Sequence, residues 1–241
     1  MATKTEPREV GEFTEVVLSS WGNAQIQQGE TNSLIVEADA DLMPYLHTEI
    51  VGSRLILGLR PNGMFGFFDW LFNLMWFADK NVLYRITMKK VDGLVISGSG
   101  NISAPQIRTD HLELKVSGSG RIRIDSIEAE SDLVKISGSG DVRLGGGTVK
   151  YKEVRISGSG DVKAPEVRSQ HAEVHVSGAG DLTLNVAETL DVSISGAGTV
   201  RVIGRPKISQ HISGSGRIKY VDTASERESK KAGKHKPAAA V

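Results

Sequence analysis

Apolar and polar residues alternate along most of residues 91–221, and the alternation restarts at a fixed interval. Each interval contains one Ser-Gly-Ser/Ala-Gly motif, and the seven motifs begin at Ser97, Ser117, Ser137, Ser157, Ser177, Ser195 and Ser213. The first four steps are 20 residues long and the last two are 18. Alternation with a period of two predicts strands. A fixed repeat of this length is typical of a solenoid in which each repeat forms one coil.

Four apolar columns appear when the repeats are aligned on the motif. In the fourth repeat they hold Val154 and Ile156 before the motif, and Val162 and Ala164 after it. In the seventh repeat, Tyr220 occupies the last of these columns. A further inward position is occupied by Ile107, Ile127 and Val167 in other repeats. Equivalent strands of successive coils would pair in parallel about 4.8 Å apart. We therefore predict an all-β parallel β-helix with seven regular coils over residues 91–221.

Two glycines in each motif separate the strand segments on either side of it. Because glycine lacks a Cβ and accepts positive φ, we expect these residues to turn a corner of each coil without filling its interior. The predicted structural glycines are Gly98, Gly100, Gly118, Gly120, Gly138, Gly140, Gly158, Gly160, Gly178, Gly180, Gly196, Gly198, Gly214 and Gly216.

Residues 11–90 predict irregular N-terminal coils and a cap that belong to the same single domain, residues 11–221. Predicted strands cover residues 13–19, 24–27, 34–38, 46–50, 55–59 and 82–88. The segment 20–24 looks like a decayed motif when it is aligned with residues 98–102. The polar residues 1–10 are predicted to be flexible. Residues 222–241, which lack an apolar period, are predicted to be a disordered tail.

An apolar insertion at residues 62–80 interrupts the strand pattern. Its segment 64–77 contains five of the six Phe and two of the three Trp residues. Fourteen helical residues span about 21 Å, too short for about 30 Å of hydrocarbon. We predict a short amphipathic helix that caps the solenoid, contacts a second copy or enters a membrane interface. The predicted interaction patch is Met64, Phe65, Phe67, Phe68, Trp70, Leu71, Phe72, Leu74, Met75, Trp76 and Phe77.

Charge and composition limit the possible chemistry. Lys plus Arg and Asp plus Glu each total 29, so the chain has no net positive charge with which to attract nucleic acid. The absence of cysteine excludes disulfides and thiol catalysis. Three aspartates, Asp141, Asp161 and Asp181, would stack about 4.8 Å apart. They predict either a weak calcium site or a surface salt-bridged by the neighbouring basic column.

Catalytic and cofactor sites are not predicted. The motif serines have no histidine column beside them to act as a base. His111 and His171 share one coil position but lie three coils apart, roughly 14 Å, which is too far for one zinc ion. We therefore expect a non-enzymatic protein without a cofactor. A polysaccharide-acting enzyme, the least favoured alternative, would need convergent acid and base groups.

Several segments before the motifs resemble a known family. Residues 13–17, the turn Gln28-Gly29-Glu30, residues 34–38 and residues 55–57 precede repeated Ile-Ser-Gly-Ser-Gly coils. Over roughly residues 10–220 the chain resembles the bacterial auto-transporter adhesin, head GIN domain family. The resemblance implies a β-helical fold and a role at the cell envelope or surface, and it supplies no catalytic residues. The polar residues 1–10 contain no signal-peptide apolar region, which predicts a cytoplasmic chain or a removed leader.

Two functional hypotheses follow. The first is an adhesin-like or scaffold module of the cell surface that binds a protein or glycan ligand. The second is a cytoplasmic β-helical polymer that assembles end to end through its last coil, which is rich in Ile and Tyr.

Overall fold

The computed structural model describes residues 2–59 and 81–221. It contains one short 3-10 helix, Met43–Tyr45. Its strands are β1 Thr3–Arg8, β2 Glu15–Leu18, β3 Asn23–Gln28, β4 Ser33–Asp39, β5 Leu46–Val51, β6 Arg54–Leu59, β7 Val82–Met88, β8 Gly93–Ile96, β9 Asn101–Val116, β10 Arg121–Ile136, β11 Asp141–Ile156, β12 Val162–Val176, β13 Leu182–Ile194, β14 Thr199–Ile203, β15 Lys207–Ile212 and β16 Arg217–Val221. Within these two ranges, no helix has the length and apolar character needed to span a bilayer.

The body of the molecule is a β-solenoid built from the long strands β9 to β13. Each strand runs from one motif to the next and pairs in parallel with its neighbours. Ile136 pairs with Ile156, and Ile156 pairs with Val176, so the register advances by one repeat per coil. The predicted parallel β-helix is confirmed. It has about six turns, since seven motif corners bound six complete intervals.

The predicted apolar columns form the core. Val154 and Val162 are 0% exposed and Ile156 is 2% exposed, and their equivalents in the other inner coils are also buried. The last coil differs, because β15 and β16 are the final strands of the described chain. Tyr220 is 63% exposed there, so the expectation that it faces the core is wrong.

The motif corners stack directly on one another. The Ser117 N–H donates to the Ile96 carbonyl at 2.8 Å and the Ser119 N–H to the Gly98 carbonyl at 3.2 Å, which continues the ladder through the corner. A Cβ on Gly118 would lie closer to that Gly98 oxygen than the 3.0 Å that real Cβ atoms keep. No described motif glycine has a positive φ. The close approach of two backbones therefore selects glycine here, and the positive φ that glycine also accepts is not used at these corners.

The order of the coils along the solenoid axis differs from their order in the sequence at the N-terminal end. β2 and β3 stack against the first regular coil, with Asn23 paired to Asn101, so the decayed motif is confirmed. On their other side, β6 pairs in parallel with β2 and β7 with β3. The chain therefore leaves β3 for the end of the molecule, returns through β6 and β7, and passes the β2–β3 coil to reach β8.

Antiparallel strands close the N-terminal end. β4 pairs with β7 and β5 with β6, while Leu42 and Met43 between them are buried in the core. β1 pairs with β4 at the edge, and Arg8 donates to the Leu46 carbonyl at 2.9 Å. The expectation of a flexible segment 1–10 is thus wrong for Thr3–Arg8. An edge strand is held by backbone hydrogen bonds, and both of its faces can carry polar side chains. The sequence of β1 therefore lacks the alternation of apolar residues from which a strand is predicted.

The predicted apolar helix at 62–80 and the predicted tail at 222–241 lie outside the described residues. The strands that flank the first of them are described: β6 ends at Leu59 and β7 begins at Val82. These strand ends lie against the corner formed by Ser19–Gly22, because Leu57 pairs with Leu18 and Leu83 with Asn23. The chain therefore enters and leaves the insertion on the motif side of the outermost coil.

Candidate functional site

The predicted aspartate column forms part of the motif corner. The Asp161 N–H donates to Oδ1 of Asp141 at 3.4 Å, and the Asp181 N–H donates to Oδ1 of Asp161 at 3.0 Å. The Thr199 N–H then donates to Oδ1 of Asp181 at 3.0 Å. Each carboxylate therefore satisfies a backbone donor of the next coil.

Basic residues neutralise the same three carboxylates. Asp141 pairs with Arg121 at 3.2 Å, Asp161 with Lys163 at 3.2 Å and Asp181 with Arg201 at 2.9 Å. Partial burial would raise the pKa of Asp181, but the hydrogen bonds from Arg201 and from the next coil outweigh it and hold this pKa below its usual value. In the described part of the chain, no group of three or more acidic or histidine side chains is arranged to hold a metal ion. The geometry favours the salt-bridged alternative.

A row of polar and aromatic side chains lies on a different flank of the solenoid. Five residues of successive coils share one register position, and we call them the Tyr151 stripe: His111, Ser131, Tyr151, His171 and Thr189. His111 Nδ1 hydrogen-bonds with the Ser131 hydroxyl at 2.7 Å, and His171 Nδ1 with the Thr189 hydroxyl at 2.8 Å. The rings of Tyr151 and His171 stack at a centroid distance of 5.2 Å and an interplanar angle of 20°.

Tyr151 is exposed where the solenoid is otherwise covered by polar side chains. Five large hydrophobic residues are exposed in the described chain, and Tyr151 is 58% exposed. The other four lie near the two ends of the solenoid: Ile35 and Val51 in cap strands, Ile212 and Tyr220 in the last coil. Single exposed apolar residues are common, but this one lies on the flank of a middle coil beside a groove.

The groove has a volume of about 580 Å³ and runs beside the Tyr151 stripe. Its other wall is an acidic column, with a leucine at one position: Glu113, Leu133, Glu153, Glu173 and Asp191. Lys135 pairs with Glu113 at 3.0 Å and His175 with Glu173 at 2.8 Å, from the basic column behind this wall. The groove therefore has hydroxyl and ring groups on one side and carboxylates on the other.

A buried ion pair lies in the core directly beneath the groove. The inward column at this point contains Leu112, Asp132, Lys152, Ala172 and Leu190. The Lys152 ammonium donates to Oδ2 of Asp132, and both side chains are almost fully buried. Oδ1 of Asp132 has no hydrogen-bond partner among the described residues. Burial raises the pKa of Asp132, and Lys152 opposes that shift.

Two members of the Tyr151 stripe, His111 and His171, were recognised from the sequence as sharing one coil position, but only as a rejected zinc site. Tyr151 and the ion pair were not recognised from the sequence. A signal for the ion pair was present, because the 20-residue register aligns Asp132 and Lys152 with the apolar residues Leu112 and Ala172. The predicted interaction patch, Met64 to Phe77, lies outside the described residues, so its position relative to the groove is not defined.

These features define the chain as a β-solenoid whose flanks carry ion-paired columns and one grooved polar and aromatic stripe. The profile of the family described as "putative auto-transporter adhesin, head GIN domain" matches residues 12–206. The chain belongs to this family.

Solved structures share the fold. A protein from Bacteroides fragilis described as a putative adhesin is 24% identical with a TM-score of 0.80, over 91% of this chain and 97% of that one. A protein from Parabacteroides distasonis, described as a putative lipid binding protein, is 21% identical with a TM-score of 0.71, over 91% and 96% of the two chains. A putative adhesin from Parabacteroides merdae is 19% identical with a TM-score of 0.69, over 91% and 96%. The sequence matches no protein of curated function.

Proposed function

We propose that this protein is a non-enzymatic, adhesin-like module of the bacterial cell envelope that binds its ligand along the flank of the solenoid. Family membership and the adhesin names of the fold neighbours support this role. The observation that carries it is the exposed Tyr151 stripe beside its groove, on flanks where charged side chains otherwise pair with one another.

The solenoid suits this task mechanically. Six coil steps of about 4.8 Å give a rod of roughly 29 Å between the first and last motif corners. Continuous parallel ladders hold the outward side chains at fixed spacing, so an extended ligand can contact several coils at once. The groove carboxylates run along one column instead of converging on a point, and this arrangement favours binding over hydrolysis.

Two assays test this proposal: one measures whether the protein is exposed on the cell surface, and the other measures whether the purified protein mediates adhesion. Protease treatment of intact cells should remove the protein from the surface, and beads coated with the purified protein should adhere to cells or extracellular matrix. Beads coated with an unrelated β-solenoid provide the control. Protein that stays protected inside intact cells and beads that do not adhere would refute the proposal.

Self-assembly is the second candidate, and the two ends of the solenoid favour it. The last coil, residues 204–221, contains four Lys or Arg residues and no Asp or Glu, and it exposes Ile212 and Tyr220. The cap strands β1, β4 and β5 contain four Asp or Glu residues and two Lys or Arg. Opposite charge at opposite ends favours head-to-tail contact. Filaments in electron microscopy that shorten in high salt and disappear in Tyr220→Ser would support this alternative, whereas a monomer at all salt concentrations would refute it.

The insertion is proposed to supply a further contact, either with a second copy or with a membrane surface. The lipid binding name of one fold neighbour motivates the membrane option. Replacing residues 60–80 by Gly-Ser-Gly should preserve the fold, because β6 and β7 are already aligned by their pairing with β2 and β3. Loss of oligomers in light scattering would identify self-association, and loss of flotation with liposomes would identify membrane contact. A variant that melts much earlier as a monomer would instead show that the insertion caps the solenoid.

A further inference from the structure

We infer that the groove beside Tyr151 is a binding site for an uncharged glycan, such as an oligosaccharide of neutral hexoses or N-acetylhexosamines. This inference rests on the proposed adhesin-like function and specifies its ligand.

Two independent departures from the repeat pattern coincide in this groove. On the surface, Tyr151 places an exposed ring where neighbouring flanks carry ion pairs. Directly beside it in sequence, Lys152 forms a buried ion pair with Asp132 in a column that otherwise holds Leu112, Ala172 and Leu190. A buried ion pair contributes little net stability compared with apolar residues of similar size. The need to stabilise the core therefore does not explain the pair, and its position directly beneath the groove favours a role in holding the strands that carry Tyr151.

Tyr151 provides a flat apolar surface for a sugar ring. One face of its ring is covered by His171. Its neighbour in the preceding coil is Ser131, whose small side chain leaves the second face open, consistent with the high exposure of the tyrosine. The axial C–H groups of a hexose pack against such a face, which combines apolar contact with a hydroxyl at the ring edge.

Hydrogen-bonding groups surround this ring at short intervals along the axis. Hydroxyls of Ser131 and Thr189 and the imidazoles of His111 and His171 lie in the same stripe, which covers four coil steps or roughly 19 Å. Across the groove, the Glu153 and Glu173 carboxylates can accept bonds from sugar hydroxyls. The hydroxyl groups of an oligosaccharide repeat along its length, so they can donate to these acceptors on several successive coils.

The charges of the groove select against acidic glycans. Five carboxylates line it, and four of them already have basic partners. Lys90 pairs with Asp92, Lys135 with Glu113, Arg155 with Glu153 and His175 with Glu173, while Asp191 is the fifth. Lys152 is buried in its ion pair with Asp132. The basic side chains at the groove are therefore already engaged with carboxylates, so a sulfated or uronic acid polymer would have to displace those partners to gain a cation, and it would also face the carboxylate of Asp191. The preferred ligand is therefore uncharged.

The experiment measures binding of the full chain by calorimetry to N-acetylglucosamine and galactose oligosaccharides, to heparin fragments and to oligolysine. Neutral oligosaccharides should bind, and Tyr151→Ala should weaken that binding at least about tenfold, as expected for an aromatic anchor. Ser131→Tyr, which covers the open ring face, should have the same effect. Tyr220→Ala, at the other exposed tyrosine, should leave binding unchanged, and thermal melts should show that all variants fold.

Any of the following binding results would overturn the inference: neutral glycan binding that survives Tyr151→Ala, tighter binding of heparin than of neutral sugars, or binding of oligolysine alone. A protein that adheres to cells but binds no neutral glycan would likewise overturn this inference while leaving the proposed function intact. Neutral glycan binding by a protein that is absent from the cell surface would leave the site intact and refute the proposed function.

Discussion

Replacing one motif glycine by alanine tests the stacked corners directly. Gly158 lies above Gly138 in the corner column, and an added Cβ would come closer to the Gly138 carbonyl oxygen than the 3.0 Å limit of real Cβ contacts. The same oxygen accepts a hydrogen bond from the Ser159 N–H at 3.0 Å. The clash is with backbone, so no side-chain rotation relieves it.

The cost of Gly158→Ala has two parts. Forcing an extra methyl group into a packed site costs about 1–3 kcal/mol. Moving the Gly138 carbonyl away also weakens the corner hydrogen bond, which is worth about 1 kcal/mol. We therefore expect a loss of roughly 2–4 kcal/mol in the free energy of unfolding.

Urea unfolding followed by circular dichroism measures this loss, and Gly146→Ala is the matched control. A Cβ on Gly146 would meet its nearest atom, the Glu166 carbonyl oxygen, only at 3.9 Å, and its φ is not positive. This control should be neutral or stabilising by up to about 1 kcal/mol, because alanine restricts the unfolded chain. Equal effects of the two substitutions would refute the stacked-corner explanation for the motif.

Four further expectations follow: one from the register, one from the buried pair and two from the corner carboxylates. Ile156→Asp should cost at least about 3 kcal/mol in urea because it buries an unpaired carboxylate, whereas the exposed Arg155→Asp should stay within about 1 kcal/mol; similar losses would refute the register. Asp132→Ala and Lys152→Leu should each destabilise by about 3–5 kcal/mol, and the double variant, which reproduces the Ala-Leu step further along that column, should recover most of the loss; additive losses would contradict this. The lowered pKa of Asp181 stabilises the fold above the unfolded value of 3.8, and this contribution is lost as the pH falls through the folded pKa. Asp181→Asn should therefore lower the urea midpoint near pH 7 and not near pH 2, and an equal effect at both pH values would exclude this linkage. A chelator should leave the melting temperature unchanged, since the same carboxylates are used within the corner; a drop that calcium restores would reveal a metal site.

The amino-acid sequence by itself determined the regular part of this protein. A strict repeat with alternating apolar positions leaves one consistent arrangement, in which Val154 and Ile156 face inward and every coil adds to the same core. The strand β7, predicted at residues 82–88, has the same bounds in the structure, since its apolar positions alternate just as regularly. The segment Thr3–Arg8 was missed because an edge strand is held by backbone hydrogen bonds, which any residue can supply.

Only the tertiary structure decided the order of the coils and the location of the candidate site. β2 and β3 can pair in parallel with a coil on either side, so the local pattern does not show that the β6–β7 coil lies beyond them. Polar residues in a strand indicate an outward position, and Lys152 faces inward only because its partner Asp132 lies one coil away in space. Likewise, the stacked rings of Tyr151 and His171 meet through the pairing of adjacent coils. Contacts between coils join residues about 20 positions apart, and local alternation carries no information about the chemistry of such pairs.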